Sequence, residues 1–374
     1  MMPLSTDQNI SHKFLNLNWG LIALISLMAL IGALALYSAA NGSMSPWASK
    51  HIARFIVCLC GMIVIAMIDI RWWYRLAYIP FILGIMLLLA VELTGRIGMG
   101  AQRWIDLGVL QLQPSELMKI AIILVLARYY HTVGADNANN PLLMFWPLLL
   151  IAIPTGLVMI QPDLGTAVMM MIAGGAVMFM AGVSIWFFLS IMAVVILSLP
   201  IIWQFLHDYQ KDRIMTFLNP ETDPLGAGYH ILQSKIALGS GGIEGKGFLK
   251  GTQSHLNFLP EKQTDFIFTL IAEEWGLLGG LTVLSIIGLI LAYCTWIALQ
   301  CRHRFARLMA IGLTVNFSLY IVINIAMVMG VIPVVGVPLP LISYGGTSML
   351  SVMIAFGLII SCYVHRDRKL LTFY

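Results

Sequence analysis

The sequence predicts an all-α integral membrane protein of about ten transmembrane helices, with one large extracytoplasmic loop between the seventh and eighth. Of the 374 residues, 60% are hydrophobic and only 10% are charged, and the mean hydropathy is +0.90. A soluble domain carries about 25% charged residues. The chain also contains ten apolar runs close to the roughly 20 residues that a membrane helix needs. We therefore expect residues 1–374 to form one polytopic membrane domain.

The apolar runs define the predicted spans in chain order. The first, 17–40, is longer than the core of a signal peptide and is interpreted as a membrane helix. The eighth, 265–299, is too long for one straight span, and "WGLLGG" at 275–280 indicates a bend or a separate short helix. The polar segment 207–264 forms the large loop. The ten spans are 17–40, 51–69, 76–94, 114–131, 142–160, 164–182, 185–206, 265–299, 306–332 and 345–364.

Basic residues predict how the chain is oriented in the membrane. With ten spans, both termini lie on one side, and the side that is richer in basic residues within short loops is the cytoplasmic one. The loop 207–264 then faces outward, because long loops translocate largely regardless of charge. The net charge of +4 is explained by this topology, and we expect no nucleic-acid partner. The cytoplasmic set is Lys13, Arg71, Arg75, Arg128, Arg302, Arg304, Arg307, Arg366, Arg368 and Lys369; the outer set is Lys50, Arg54, Arg96 and Arg103.

Five polar motifs, far apart in the sequence, fall on the predicted outer side. If they converge in space, they form one polar pocket near the membrane surface. Ionisable groups at the ends of apolar spans are costly and are usually functional. The motifs are "GAQRWIDLG" at 100–108, "QLQPSELMK" at 111–119, "QPDLGT" at 161–166, "EKQTDF" at 261–266 and "PLPLISYGG" at 338–346.

The motif around the fourth span combines a helix start with a pair of opposite charges. Pro114 suits the first position of a helix. Glu116 and Lys119 are three residues apart and therefore share a helix face. One interpretation is a structural ion pair that holds the helix end. The other is that Lys119 binds a phosphate or another anion while Glu116 fixes its position.

Two further motifs each allow a structural and a functional interpretation. Asp163 could cap the helix that follows it, or contact a substrate or a cation. Arg103 and Trp104 suit an amphipathic stretch at the membrane interface, where they could be a generic anchor or bind phosphate. The eight glycines between 226 and 251 could form a lid, a backbone anion site or a spacer.

Asp265 stands where the polar loop meets the eighth span. Thr264 could cap a helix that begins here, and the helix dipole would then lower the pKa of Asp265. Partial burial at the membrane edge would instead raise that pKa. Position alone leaves both possibilities open. Glu273 and Glu274 lie deeper in the apolar segment and need partners or a water-filled cavity.

The motifs as a set resemble those of the SEDS family of shape, elongation, division and sporulation proteins. The stretch "GSGGIEGKGFLKGTQSHLNFLPEKQTDFIFTLIAEEWGLLGG" carries the resemblance, together with "QPSELMK", "QPDLGT" and "PLPLISYGGTS". The resemblance covers essentially the whole chain. The short N-terminus and "LPEKQTDFIF" are most similar to the elongation branch of the family, and the division branch is the close competitor.

This resemblance implies a peptidoglycan glycosyltransferase in the cytoplasmic membrane, with both termini in the cytoplasm and its active site facing outward. Such proteins polymerise glycan strands from lipid II, release polyprenyl pyrophosphate, and work with a class B penicillin-binding protein and other elongation-complex proteins. The resemblance places the family's essential aspartate at Asp265. Its other polar residues fall on Glu116, Lys119 and Asp163.

The implied reaction assigns roles to the motif residues. Asp265 is the expected general base, worth roughly 10²–10⁴ in rate. Lys119 and Arg103, with Arg54 as a weaker candidate, would neutralise the leaving pyrophosphate. A divalent cation, Mg²⁺ or Mn²⁺, could share that task with Asp163 as a ligand. The predicted substrate-binding residues are Lys119, Glu116, Asp163, Arg103, Trp104, Arg54, Gln113, Ser115, Thr264, Gln233 and Ser343.

Two other functions are compatible with the sequence. Polar groups within spans and a large outer loop would also suit a transporter that flips lipid II. A transporter needs an inward-facing polar path, however, and the motifs lie mainly on the outer side. A scaffold that only activates a transpeptidase would not need Asp265.

Overall fold

The computed structural model describes residues 10–94, 96–98, 101–106, 111–205, 208–220, 226–256 and 261–367. These residues are mostly helical, with three short strands. In chain order the elements are α1 Ile10–Leu15, α2 Trp19–Ala39, α3 Ala48–Met67, α4 Ile70–Leu76, α5 Tyr78–Thr94, β1 Arg96–Gly98, β2 Ala101–Asp106, β3 Gln111–Leu112, α6 Pro114–Val133, α7 Pro141–Ile160, α8 Leu164–Met180, α9 Ile185–Phe205, α10 Asp208–Leu218, α11 Ala227–Ser240, α12 Thr252–His255, α13 Ile267–Gln300, α14 Arg304–Val328 and α15 Gly346–Val364.

Six helices are long and apolar enough to cross a membrane, namely α2, α3, α7, α13, α14 and α15. Together, α4 and α5 form a seventh candidate that is bent by 51°. The apolar parts of α8 and α9 are shorter, and α6 carries three charged residues. Each of the ten predicted spans coincides with a helix. The mostly helical, multi-pass membrane architecture is confirmed, whereas ten crossings stays a prediction.

The centre of the helical bundle is formed by α6, α14 and α15. Every residue of α6 from Met118 to Ala127 is buried, and this helix packs against α5, α8, α14 and α15. A helix that is covered on all sides belongs to the interior of a bundle. Because α6 is central, the Glu116 and Lys119 side chains at its N-terminal end lie inside the protein and away from lipid.

The motif predicted as an amphipathic stretch at the interface forms part of a small antiparallel sheet. Strand β2 lies between β1 and β3, and Ile105 faces Leu112 across the second pairing. The sheet immediately precedes Pro114, which occupies the start of α6 as predicted. Residues 101–106 are therefore held by backbone hydrogen bonds at the N-terminal end of the central helix.

The segment 207–264 is more structured than its glycine content suggests. Where described, it contains α10, α11 and α12. Helix α11 packs on α13, where Ser234 Oγ lies 3.0 Å from Thr269 Oγ1 and donates to the Val328 carbonyl over 2.8 Å. This part of the glycine-rich run is a folded segment whose helix is anchored to two membrane helices. A spacer without a chemical role stays a prediction.

The long eighth span is interrupted, as "WGLLGG" predicts. Gly276 has φ 66° and ψ −162°, which breaks α13. The two amide groups that follow the break donate to the glycine-rich segment. Leu277 N donates to Gly242 O over 2.9 Å, and Leu278 N donates to Ile243 O over 3.2 Å. The glycine-rich segment thus supplies backbone partners that a continuous helix would have supplied itself.

Amide groups of the glycine-rich segment also donate to carbonyl groups of α13. Lys246 N donates to Glu273 O over 3.1 Å, and Gly247 N donates to Glu274 O over 2.9 Å. We call residues 241–247 together with 273–278 the loop–helix junction. Because these N–H groups are used on helix carbonyls, the interpretation of this part of the run as a backbone anion site is wrong.

The two adjacent acids of the eighth span have partners at this junction. The Glu273 side chain is fully buried and accepts from Lys246 Nζ over 2.8 Å and from Gln253 N over 2.9 Å. The neighbouring Glu274 accepts from Ser38 Oγ over 2.5 Å. Both carboxylates therefore tie α13 to other parts of the chain, which explains how two acids are accommodated in an apolar segment.

We expect Gly245→Ala to lower the free energy of unfolding by about 3 kcal/mol, because a side chain in this left-handed conformation is strained. Gly245 has φ +83°, and an added Cβ would lie 2.1 Å from the Glu274 carbonyl oxygen. Thermal unfolding of the purified protein in detergent measures the effect. Gly239→Ala is the control, since nothing lies within 4 Å of its added Cβ. Equal unfolding temperatures for the two variants would show that the junction does not stabilise the fold.

Candidate active site

One cavity of about 590 Å³ gathers the polar motifs of the sequence. All five motifs contribute to its wall, although they are spread over more than two hundred residues of the chain. The convergence that the sequence suggests is therefore present in the structure. Its polar lining residues are Arg103, Trp104, Gln111, Gln113, Glu116, Lys119, Asp163, Thr166, Glu261, Thr264, Asp265, Tyr320, Tyr344, Thr347 and Ser348.

Asp163 lies at the start of α8 and is held by three donors on one side of the cavity. It caps the helix, accepting from Thr166 N over 3.3 Å and from Thr166 Oγ1 over 2.9 Å. Gln113 Nε2 donates to it over 3.3 Å, and Arg103 Nη1 lies 3.8 Å from Asp163 Oδ1. Arg103 also donates to the carbonyl of Pro162. The predicted capping role of Asp163 is confirmed, and Arg103 is drawn from the sheet to the same position.

Glu116 and Lys119 form a buried ion pair at the base of the cavity. Lys119 Nζ donates to Glu116 Oε1 over 2.7 Å, and the exposed fractions of the two residues are 1% and 6%. The second oxygen of Glu116 accepts from the Tyr320 hydroxyl and from Ser351 Oγ. Lys119 Nζ also lies 4.1 Å from the centre of the Tyr320 ring. The ion pair is confirmed, and the ammonium group faces the cavity with its position fixed by an acid and an aromatic ring.

Asp265 lies in the turn before α13 and also lines the cavity. Helix α13 begins at Ile267, has no acid in its first turn, and receives no side-chain cap. The prediction that Thr264 caps a helix beginning at Asp265 is therefore wrong. Thr264 Oγ1 lies 2.9 Å from Glu261 Oε2 and 3.2 Å from the Glu261 carbonyl. It stabilises the turn that precedes the helix.

The surroundings of Asp265 favour its protonated form. Burial, and to a smaller extent the negative charge of Glu261, raise the pKa of the Asp265 carboxyl from 3.8 to about 6. Asp265 lies two residues before α13 begins, outside the first turn in which a helix dipole acts most strongly. A carboxyl with this pKa is ionised at neutral pH and is still basic enough to accept a proton.

Four predicted substrate-binding residues do not line the cavity. The Arg54 guanidinium lies 4.7 Å from the centre of the Tyr344 ring, so it supports a lining residue from behind. Ser343 Oγ donates to the Thr264 carbonyl over 2.6 Å. Among the described residues, neither Ser115 Oγ nor Gln233 Oε1 has a hydrogen-bond partner. None of these four residues lines this cavity, and their contact with a bound substrate stays a prediction.

Several residues of the site were missed by the sequence analysis. Tyr320 lines the cavity, and Asn324 holds the turn that contains Asp265. A signal was present, because Asn316, Tyr320 and Asn324 follow one another at intervals of four in a mostly apolar helix. Such spacing places polar side chains on one helix face. A polar face within a membrane helix indicates a functional interior.

The residues around Asp163 do not fit a divalent cation. Mg²⁺ and Mn²⁺ are held by several oxygen ligands. Asp163 is surrounded by N–H and O–H donors and by the Arg103 guanidinium. Within the described ranges, no group of three or more His, Cys, Asp or Glu side chains is placed to hold a metal ion. Positive charge on this side of the cavity is supplied by Arg103 and Lys119.

Known proteins share this sequence and architecture. The family model described as "Cell cycle protein" and comprising FtsW, RodA and SpoVE matches residues 12–368. Peptidoglycan glycosyltransferase MrdB of Escherichia coli (strain K12) is 45% identical over 348 residues, which are 92% of this chain and 93% of MrdB.

Two solved structures are also similar. One comes from work on the structural coordination of polymerization and crosslinking by a peptidoglycan synthase complex. Its chain superposes with a TM-score of 0.83 at 29% identity, over 94% of this chain and 99% of that one. The rod-shape-determining protein RodA of Thermus thermophilus superposes with a TM-score of 0.72 at 26% identity, over 94% and 98% of the two chains. The extent of these matches shows that the chain belongs to the FtsW/RodA/SpoVE family, the SEDS family that its motifs resemble.

Proposed function

We propose that this protein is a peptidoglycan glycosyltransferase that polymerises glycan strands from lipid II during cell-wall elongation. The observation that carries the proposal is one cavity whose lining brings together the Asp265 carboxyl and two cations, Lys119 and Arg103. The similarity to MrdB, which is named as such an enzyme, supports it. The structural likeness to RodA favours the elongation branch.

In the proposed reaction, Asp265 acts as the general base. It removes the proton from the 4-hydroxyl of the acceptor sugar while that oxygen attacks the anomeric carbon of the donor. The bond between the anomeric carbon and the pyrophosphate oxygen breaks, so an α-linked donor gives a β-1,4 bond with inversion. A half-buried carboxyl with a pKa of about 6 suits this task. General-base assistance contributes roughly 10²–10⁴ in rate.

The leaving group requires stabilisation of negative charge. Polyprenyl pyrophosphate departs with charge developing on the bridging oxygen, and preorganised cations lower the barrier for such steps. Lys119 is held in place by Glu116 and Tyr320, and Arg103 by Asp163 and Pro162. These contacts fix both cations before substrate binds. The lipid tails would lie along the apolar helices, which explains why a sugar-polymerising enzyme is mostly apolar.

We propose that the ten helices that coincide with the predicted spans all cross the cytoplasmic membrane. Both termini then lie in the cytoplasm, and the segment 207–264 and the cavity face outward. The distribution of basic residues supports this orientation. Thiol labelling in intact cells checks it with cysteines introduced at the exposed Glu244 and Arg302. Labelling of the Arg302 position from outside would contradict the orientation.

A class B penicillin-binding protein is the proposed partner. The similar chain from a peptidoglycan synthase complex was studied for coordination of polymerization with crosslinking. A transpeptidase is the enzyme class that crosslinks the product of a glycan polymerase. The division of labour also fits the site, because Asp265 supplies the proposed base for glycosyl transfer within this cavity.

The direct test supplies lipid II to the purified chain in complex with such a transpeptidase and separates the glycan products on a gel. Long strands are the expected result. A parallel assay measures movement of lipid II across vesicle membranes that contain the chain. Transport without strand formation would favour the flippase. Retention of function in the complex when Asp265 is replaced would favour the scaffold.

The rate of polymerisation is expected to rise with pH through about 6 and to level off above it, because the ionised Asp265 is the active form. Glu261→Gln removes a negative charge that raises this pKa, so the acidic limb should move to lower pH. Burial is the larger cause of the raised pKa, so the acidic limb should still lie at a higher pH than the pKa of an ordinary aspartate. Initial rates measured between about pH 5 and about pH 8 give the profile.

Glu244→Gln is the matched control for this experiment, since Glu244 is an exposed glutamate in the outer segment and does not line the cavity. Its profile should coincide with that of the wild type. An acidic limb that stays in place in Glu261→Gln, or that moves to higher pH, would contradict the proposed influence of Glu261 on Asp265.

A further inference from the structure

The turn that contains Asp265 is held by three successive carbonyl groups. The Gln263 carbonyl accepts from Tyr344 N over 2.8 Å, and the Thr264 carbonyl accepts from Ser343 Oγ over 2.6 Å. The Asp265 carbonyl accepts from Asn324 Nδ2, also over 2.8 Å. All three donors come from α14 or from the segment between α14 and α15. The turn is therefore fixed from outside its own helix.

Asn324 replaces the partner that a helix would give to Asp265. In a helix beginning at Asp265, the amide of Thr269 would donate to the Asp265 carbonyl. Here Thr269 N donates to Phe266 O over 3.0 Å instead. The Asp265 carbonyl is left to the Asn324 amide, whose residue is fully buried.

The same amide group also holds the part of the cavity wall that contains Val337. Asn324 Nδ2 donates to the Val337 carbonyl over 2.8 Å, and Val337 lines the cavity. Next to it, a Cβ added to Gly336 would lie 3.5 Å from Asp265 Oδ2. Asn324 Nδ2 thus bridges two carbonyl groups, that of Asp265 and that of Val337, which lies next to Gly336 beside the Asp265 carboxylate. Both acceptors are carbonyl oxygens, so the NH₂ end of the Asn324 amide faces them.

We propose that Asn324 is a positioning residue for the glycosyl-transfer reaction, which fixes the Asp265 carboxylate against the wall formed by Gly336 and Val337. This inference rests on the proposed function, because it assigns a task to Asn324 only if Asp265 is the base. Asn324 itself does not line the cavity. It acts by setting the distance from Asp265 to the reacting hydroxyl, for which an error of about 1 Å can cost 10²-fold in rate.

The test compares Asn324→Ala with the wild type in the complex with the transpeptidase, using lipid II as substrate. We expect kcat to fall by about 10- to 100-fold. The KM for lipid II should change by no more than about twofold, because the residues that hold the pyrophosphate are untouched. The acidic limb of the rate profile should also move to lower pH, since the released carboxylate gains access to water. The other charged lining residues are unchanged, namely Arg103, Glu116, Lys119, Asp163 and Glu261.

Asn316→Ala is the matched control. Asn316 is a buried asparagine on the same helix, two turns away, and does not line the cavity. Its loss should affect the unfolding temperature and leave the KM and the acidic limb in place. If Asn324→Ala does not fold, Asn324→Ser keeps one donor in a small side chain and should give the same changes at reduced size.

Two further outcomes separate this inference from the proposed function. Wild-type kcat and an unmoved acidic limb in Asn324→Ala, or in Asn324→Ser if the alanine variant does not fold, with an inactive Asp265→Asn, would overturn the positioning role alone. Polymerisation at the wild-type rate by Asp265→Asn would overturn the role of Asp265 and, with it, the basis of this inference.

Discussion

Asp265→Asn should abolish glycan polymerisation, with a loss of about 10²–10⁴ in kcat. Asparagine keeps the size of the side chain and cannot accept the proton of the acceptor hydroxyl. The contact with Asn324 uses the backbone carbonyl of residue 265, so the turn should keep its shape. Initial rates with lipid II measure the loss, and thermal unfolding shows whether the fold is retained.

Two further variants sharpen this prediction. Asp265→Glu still provides a carboxylate, but displaced by about 1 Å, and should have an intermediate rate. Asp212→Asn removes an exposed aspartate of α10 and should be fully active. Strand synthesis by Asp265→Asn at the wild-type rate would exclude Asp265 as the base and direct attention to Glu116 or Asp163.

Lys119→Met should destabilise the protein by about 3–5 kcal/mol and abolish polymerisation. The destabilisation follows because the buried Glu116 loses its cation, although its contacts with Tyr320 and Ser351 remain. The loss of activity follows because the leaving pyrophosphate loses a fixed positive charge. Unfolding temperature and initial rate are measured on the same preparation.

The double variant Glu116→Gln/Lys119→Met separates the two interpretations of this ion pair. It replaces both charges by neutral side chains of similar size, and such replacements are often neutral for stability. We expect a folded protein that remains inactive, because the charge on Lys119 is needed in the reaction. Recovery of wild-type polymerisation in the double variant would show that the pair is structural alone.

The membrane character of the chain and the ends of several helices could be predicted from the sequence. Pro114 begins α6, Asp163 caps α8, and α13 breaks within "WGLLGG". These features depend on residues that are close together in the chain. In lipid, a backbone must satisfy its own hydrogen bonds, so a long apolar run becomes a helix with little influence from its neighbours.

Features that depend on distant residues were predicted poorly. Thr264 resembles a helix cap, yet α13 begins at Ile267. The reason is that Tyr344, Ser343 and Asn324 hold the three carbonyls before the helix. Local propensity is weak compared with several hydrogen bonds made by other elements. The role of the glycine-rich run was ambiguous for the same reason, because its hydrogen-bond partners are backbone groups at the break in α13.

From its amino-acid sequence alone, this chain could be predicted to be a helical membrane protein, with polar motifs that could carry chemistry. The shared cavity, the position of Lys119 beside Glu116 and Tyr320, and the contact of Asn324 with the Asp265 carbonyl became known only from the three-dimensional structure. The difference lies in the range of the interactions. A helix is stabilised by residues four apart, whereas the charge state and position of a carboxylate depend on every group that packs around it.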